Sequence, residues 1–190
     1  MRGGYMGRML FVDLSSGRVA SENLDGELAR AYLGGYGFGV KVLYDRMRPQ
    51  SDPLGEDNIF GIAAGPLTGV GIPVASRYTV FGKSPLTGSW GDANGSGFFG
   101  PALKFAGYDI VFFSGISEKP VYLLVAEDKV ELKEAGDLWG MDTYRTEDAV
   151  KSQYGKKAEV ACIGPAGEKL SRLAGVITCK GRTAARSGLG

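Results

Sequence analysis

Apolar residues cluster on both sides of Ser15-Ser16-Gly17, with Met9-Leu10-Phe11-Val12-Asp13-Leu14 before it and Arg18-Val19-Ala20-Ser21-Glu22 after it, the pattern of a β-hairpin. From Asp25 the period changes. Leu28, Ala31, Tyr32 and Leu33 recur at helical spacing behind an acidic start and ahead of Gly34-Gly35, which predicts a helix. A second helix carries Val40, Val42, Leu43 and Tyr44 and ends before Pro49. Asn58 to Ala64 is nearly all apolar and closes at Gly65-Pro66, as a strand buried on both faces would.

The central stretch runs from Ser76-Arg77-Tyr78 to Gly107. Tyr78 to Phe81 reads as a strand headed by Arg77, and Asp92-Ala93-Asn94-Gly95-Ser96-Gly97 as a loop opening onto a helix over Phe98 to Gly107. Strands are then predicted over Asp109 to Phe113, Val121 to Ala126 and Lys129 to Leu132, with Glu127-Asp128 as the turn between the last two. Thr143 to Tyr154 reads as a helix with Thr146 as an interior break and Gly155 as its stop, followed by strands over Ala158 to Ile163 and Arg172 to Thr178. Short strands joined by tight turns point to an α+β, β-rich domain of bent, largely antiparallel sheets with short helices, rather than to a parallel βαβ array.

Free amides in a run of small residues, placed before a helix, form an anion site, and an arginine at the head of the neighbouring strand clamps an oxyanion or a flat heterocycle at two points. The plainer reading of the same residues is a glycine turn capping a core helix, with Arg77 in a surface ion pair. A second observation bears on the choice. Ala63-Ala64-Gly65-Pro66, Ser76-Arg77, Val80, Lys83 and Asn94-Gly95-Ser96-Gly97 are echoed by Cys162-Ile163-Gly164-Pro165, Ser171-Arg172, Val176, Lys180 and Ala184-Ala185-Arg186-Ser187-Gly188-Leu189-Gly190. Either the order recurs by chance, or the domain has two halves about a pseudo-two-fold axis whose glycine-rich loops face one another across a ligand that is itself double.

Composition narrows the chemistry. The 22 basic and 21 acidic residues leave a net charge of +1, which excludes a global field drawing nucleic acid or an acidic membrane, so any anion site is local. No apolar run approaches the length of a membrane span and no signal peptide is apparent, so a soluble, cytoplasmic protein is expected. The 31 glycines have no repeat period and imply tight turns and close backbone contacts. With no histidine and only Cys162 and Cys179, the usual zinc patterns and histidine acid–base chemistry are absent. The two thiols are expected to be reduced and buried, neither metal ligands nor a disulfide; the alternative is a redox pair joining two strands.

Taken together, the motifs resemble the amino-terminal domain of the aldehyde ferredoxin oxidoreductase family of tungsten enzymes. They are Ile62 to Gly69, Ser76-Arg77-Tyr78, Lys83-Ser84-Pro85-Leu86-Thr87-Gly88, Ala93-Asn94, Leu103-Lys104-Phe105-Ala106-Gly107-Tyr108-Asp109, Ile163-Gly164-Pro165-Ala166-Gly167-Glu168 and Arg182 to Gly190, and they cover essentially the whole chain. The resemblance implies a β-rich base on which tungsten, held by two pterins (tungstopterin), lies near the pseudo-two-fold axis. It implies that Arg77, Asn94, Arg182, Ala184, Ala185 and Arg186 contact the pterins and their phosphates, with Gly95, Ser96 and Gly97 as amide donors. It further implies a Mg2+ ion reached by the main-chain oxygens of Asn94 and Ala184.

The family's [4Fe-4S] cluster needs a set of cysteines that residues 1–190 do not carry. The chain is therefore expected to be the N-terminal tungstopterin-binding domain of a larger oxidoreductase. That enzyme would oxidise aldehydes to carboxylic acids with ferredoxin as acceptor, and a homodimer is compatible with it. No catalytic residue is expected within these 190 residues, and the chain alone should be inactive. The competing expectation is a non-catalytic scaffold or partner-binding module that keeps the fold.

Overall fold

The computed structural model describes residues 3–126 and 129–190. Strands and helices are numbered in chain order. Arg8–Asp13 (β1) and Arg18–Asn23 (β2) pair antiparallel as the predicted hairpin, Arg8 opposite Asn23 and Asp13 opposite Arg18. Phe60–Ala64 (β3), Tyr78–Lys83 (β4), Trp90–Gly95 (β5) and Ile110–Ser114 (β6) complete a six-stranded sheet in the order β2-β1-β6-β3-β4-β5. All its pairings are antiparallel except β1 with β6, which run parallel with Phe11 opposite Phe112. That exception corrects the expectation of antiparallel neighbours only in part. No turn connects β1 to β6, so hairpin geometry places no constraint on their direction.

Alternation along the strands assigns the two faces of the sheet. Met9, Ala63, Phe81, Ile110 and Phe112 pack with Phe38, Val42 and Leu43 of the helix Tyr36–Arg46 (α2) and with Ala29 of the helix Gly26–Tyr32 (α1). Gly39 allows α2 to lie on the sheet, since a β-carbon there would come within 2.6 Å of the Phe81 ring. Residues one position along point the other way. Leu10, Val12 and Val111 meet Leu103 of the helix Phe99–Phe105 (α3) and the hairpin Val121–Ala126 (β7) with Lys129–Glu134 (β8), while Ile62, Tyr78 and Val80 meet Val176 and Ala184. A sheet covered on both sides explains why β3 carries no polar residue.

Several elements differ from the sequence expectation. In α1, Ala31, Tyr32 and Leu33 are exposed and Ala29 faces the core, because the helix lies tangentially and buries only a narrow stripe. Thr146 does not interrupt the helix Thr143–Tyr154 (α4). Its hydroxyl donates to the Asp142 carbonyl at 3.0 Å and so stays within the helical pattern. The strand expected over Ala158 to Ile163 is only Ala161–Cys162 (β9), and that over Arg172 to Thr178 is only Val176–Thr178 (β10). Pro165–Glu168 forms a short helix (α5), and Arg182–Ala184 a strand (β11) pairing with β10. The turn assigned to Glu127-Asp128 lies outside the described residues. The six-stranded sheet has no counterpart of equal size in the second half, where β7-β8 and β11-β10-β9 form separate small sheets.

A buried ion pair closes the domain. Lys104, at the end of α3, is 4% exposed and Asp109, just before β6, is 1% exposed, with Nζ 3.7 Å from Oδ1. The Lys104 ammonium also donates to the carbonyls of Gly4, Gly65 and Pro66, and the two Asp109 oxygens accept from the amides of Met6 at 3.0 Å and Gly7 at 2.7 Å. Burial pushes the Lys104 pKa down and the charge of Asp109 pushes it back up. A lowered lysine pKa means that the charged form is favoured less in the folded chain than in the unfolded one, so at neutral pH the pair fixes geometry more than it adds net stability. Removing one partner is a different matter, since it leaves the other charge buried and alone. Asp109→Ala should destabilise the domain by roughly 3–5 kcal/mol, read as a lower urea midpoint at unchanged slope.

Candidate functional site

The expected loop over Asp92 to Gly97 is mostly strand. Trp90–Gly95 alternates cleanly, with Trp90, Asp92 and Asn94 outward and Gly91, Ala93 and Gly95 inward, so it forms the edge strand β5. Only Ser96 and Gly97 turn the chain toward α3, a seven-residue helix with little dipole to add. The inward glycines have a packing reason. A β-carbon on Gly95 would fall inside the Tyr78 ring, and one on Gly91 would come within 2.7 Å of the Ser84 side chain.

The second segment lies against this strand. Gly97 is held within contact of the Cys179 sulfur and the Arg182 stem, Gly91 is beside Ser187, and Gly82 of the next strand is beside Leu189. Residues 182–190 therefore run along β5 in the opposite direction. The contact is fastened at both ends: Arg182 Nη1 donates to Ser96 Oγ at 3.0 Å, and Ser84 Oγ donates to the Ser187 carbonyl at 2.6 Å. The turn from β10 to β11 places Cys179 and Lys180 at positive φ of 47° and 63°. The buried carboxylate of Glu147 holds it there by accepting from the Lys180 amide at 2.6 Å, and is itself paired with Lys151 at 2.8 Å.

The sequence-predicted residues are distributed along this seam. Arg77 lies opposite the Ser96 turn, at the end of β4 where Tyr78 pairs with Gly95. Its side chain is exposed and its carbonyl accepts from Thr68 Oγ1 at 2.8 Å. Among the described residues no carboxylate comes within ion-pair distance of Arg77, Arg182 or Arg186, which removes the surface ion pair as an explanation of Arg77. Asn94 faces outward with Oδ1 accepting from Thr79 Oγ1 at 2.9 Å, which turns its amide donors toward solvent. Ala184 is buried in the same core cluster as Ala93, Ala185 is half-buried, and Arg186 is exposed at φ 74°.

The structure thus brings Ser96 and Gly97 to Arg182 and sets Asn94 and Ala184 on adjoining strands, while the Gly95 amide belongs to a buried strand residue. Gly97, like Gly95, is buried and Ser96 half-buried, so the outward amide is that of the Asn94 side chain. Three guanidinium groups without carboxylate partners among the described residues, with that amide, fit an anionic ligand with hydrogen-bond acceptors. Among the described residues no group of three His, Cys, Asp or Glu side chains could hold a metal ion.

Both cysteines are free thiols and half-buried rather than buried. Cys162 Sγ lies 3.9 Å from the Thr143 carbonyl and Cys179 Sγ lies 3.8 Å from Glu159 Oε2. Thr68, Thr79, Glu147 and Thr178 went unnoticed in the sequence. Each acts through a contact with a residue distant in the chain, and none sits in a local pattern that would mark it.

Residues 9–190 match the family model described as aldehyde ferredoxin oxidoreductase, N-terminal domain. The chain is 45% identical over 188 residues to a tungsten-containing aldehyde ferredoxin oxidoreductase of Thermococcus kodakarensis, covering 98% of this chain and 31% of the relative. It is 43% identical over 188 residues to the protein of that description from Pyrococcus furiosus, with coverage of 98% and 31%. Among solved structures it is similar to the active site complex BamBC of benzoyl coenzyme A reductase in complex with 1,5 dienoyl-CoA. The TM-score is 0.96 at 35% identity, over 100% of this chain and 29% of that one. The chain therefore spans about a third of the length of the relatives it matches.

Two outcomes follow from the seam itself. Gly95→Ala forces the Tyr78 ring off its seat and should lower stability by about 1–3 kcal/mol in urea unfolding, as overpacking does. Burial, and after it the charge of Glu147, pushes the Cys162 thiol up to about 11. In a Cys179→Ala background, alkylation of Cys162 by iodoacetamide should be slow at pH 8 and should rise with pH through a midpoint near 11. Because the folded value lies above the unfolded one, the contribution to stability is complete below the unfolded pKa. It is lost as pH rises through the folded value.

Proposed function

Since the chain belongs to the aldehyde ferredoxin oxidoreductase family, matching its N-terminal domain over residues 9–190, we propose that it is the cofactor-binding floor of a tungsten enzyme that oxidises aldehydes to carboxylic acids. The observation that carries this reading is the seam between β5 and residues 182–190, where exposed Arg77, Arg182 and Arg186 have no carboxylate partners among the described residues and Asn94 faces outward. When bound there, a bis-pterin tungsten cofactor supplies the two-electron redox chemistry, with ferredoxin as the final acceptor. The residues of this chain bind and orient.

In that role Arg77 grips a pterin ring or a phosphate with its planar fork, and Arg182 and Arg186 do the same from the second segment. Asn94 presents its amide donors, fixed by the bond from Thr79 to Oδ1. The amide of half-buried Ser96 adds a phosphate contact. The main-chain oxygens of Asn94 and Ala184 would hold a Mg2+ ion, whose charge would offset the repulsion between phosphates drawn to one seam. The two-fold relation between the halves is proposed for these two segments alone. The [4Fe-4S] cluster and the walls of the substrate cavity are assigned to sequence outside residues 1–190, and a cytoplasmic homodimer is the expected setting.

The likeness to the benzoyl coenzyme A reductase complex, at a TM-score of 0.96, supports a second reading in which the same floor serves a reductase of coenzyme A thioesters. The identities of 45% and 43% to aldehyde enzymes, against 35%, favour the first. Aldehyde-dependent reduction of benzyl viologen by the purified full-length enzyme that carries this domain, the holoprotein, tests it; reduction driven by a dienoyl-CoA but by no aldehyde would replace it with the second.

Arg77→Ala should leave the urea midpoint near wild type while the holoprotein loses tungsten and pterin about tenfold faster, the factor expected for one charge-assisted contact. Arg77→Lys should lose them nearly as fast, because a point charge does not reproduce the fork. Full retention in the lysine variant, measured by metal analysis and by fluorescence of the oxidised pterin, would reduce Arg77 to a surface charge.

A further inference from the structure

Thr178, the last residue of β10, is 0% exposed, yet three oxygens surround its hydroxyl. The Tyr78 phenol donates to it at 3.2 Å, and its own proton is shared between the Ser96 carbonyl at 3.2 Å and the Arg182 carbonyl at 3.4 Å. Ser96 belongs to the first segment of the seam and Arg182 to the second, so one hydroxyl out of reach of water joins them. Burial holds the Tyr78 phenol above its ordinary pKa, so it remains a donor across the neutral range, and its ring is fixed above Gly95. The other link between the segments, from Arg182 to Ser96 Oγ, is exposed and open to competition from water.

We propose that Thr178 is a positioning residue whose buried hydroxyl clamps the 94–97 and 182–186 segments in one relative setting, so that the cradle for the anionic cofactor is formed before the cofactor arrives. The proposal rests on the reading of the seam as that cradle. A ligand held by both segments at once gains from their being fixed beforehand, since the ordering is then complete on folding and is not charged against binding. An isosteric Thr178→Val strands the Tyr78 proton and the Ser96 carbonyl in a dry place, whereas Thr178→Ser keeps all three bonds.

The test compares wild-type, Thr178→Val and Thr178→Ser holoprotein in two readouts. The first is amide hydrogen exchange at residues 96–97 and 183–184 after the cofactor has been stripped. The second is the rate at which tungsten and pterin are lost on dialysis. Thr178→Val should speed exchange in both segments and cofactor loss by about tenfold, the factor for one net buried hydrogen bond, and Thr178→Ser should restore both. Wild-type exchange and retention in the valine variant, or equal damage by serine and valine, would overturn the clamp. Should the valine variant fail to fold, Tyr78→Phe keeps the ring over Gly95 and removes only the donor. It is expected to speed exchange at 96–97, and unchanged exchange there would overturn the clamp as well. Wild-type holoprotein free of tungsten and pterin would instead refute the cofactor reading, while the exchange arm still decides whether Thr178 couples the segments.

Discussion

Two stretches of backbone lie side by side in this domain with almost no room for side chains between them, and the site exists because of that closeness. Gly97 against Cys179 and Arg182, Gly95 under the Tyr78 ring and Gly91 against the Ser84 side chain are all positions where a methyl group would collide. Glycine costs backbone entropy in a strand, and two in six residues would weaken β5 if nothing else held it. What holds it is burial between β4 and the 182–190 segment, with Ala93, Val80 and Ala184 in one apolar cluster. The close approach in turn brings Arg182 to Ser96, 86 residues away in sequence. Folding of the core and formation of the seam are thus one event.

The same logic extends to the Lys104–Asp109 pair. It joins residues 4–7, the Gly65-Pro66 turn, α3 and the start of β6, which are the four pieces that meet behind Arg77. Thr68 Oγ1 accepts from the Gly65 amide at 3.0 Å and donates to the Arg77 carbonyl at 2.8 Å. A path of direct bonds therefore runs from the buried pair through the Gly65-Pro66 turn to the backbone that aims Arg77. The guanidinium is exposed, but its origin is fixed from inside the protein.

How far the sequence disclosed this depended on the range of each interaction. The first hairpin, α2, β3, β4 and α4 were legible because their signals are local: alternation, helical spacing, a closing Gly or Pro. In the sequence β5 reads as a loop because its glycines suggest turns, although its alternation of Trp90, Asp92 and Asn94 with Gly91, Ala93 and Gly95 is regular. Small residues mark close approach as readily as they mark a turn, and only the partner segment tells the two apart. β11 was hidden for the same reason, since Arg182–Ala184 has no apolar run and is a strand by virtue of β10. Arg77 and the stretch holding Asn94 were legible as an anion clamp from charge and small residues, while Arg182 and Arg186 came from family resemblance; Thr178 and Thr68, which set the backbone around them, show their bonding roles only in the fold.

The electrostatic arrangement favours local over global attraction. A chain of net charge +1 exerts little pull on a distant anion, and at physiological ionic strength charges separated by more than about 8 Å are largely screened. Selectivity for an anion must then come from groups within contact range, held without internal carboxylate partners that would neutralise them. Elsewhere on the surface some arginines and lysines have such partners, as with Arg46 and Glu22 at 2.7 Å or Lys41 and Asp45 at 2.8 Å. Along the seam Arg77, Arg182 and Arg186 do not, and Asp92 on the same strand has its oxygen taken by the Trp90 indole at 2.9 Å. Like charges left unpaired repel, and that repulsion is relieved when an anion enters between them. On the proposed reading a seam built this way would be more stable filled than empty, which would couple retention of the ligand to the same buried contacts that hold the two segments together.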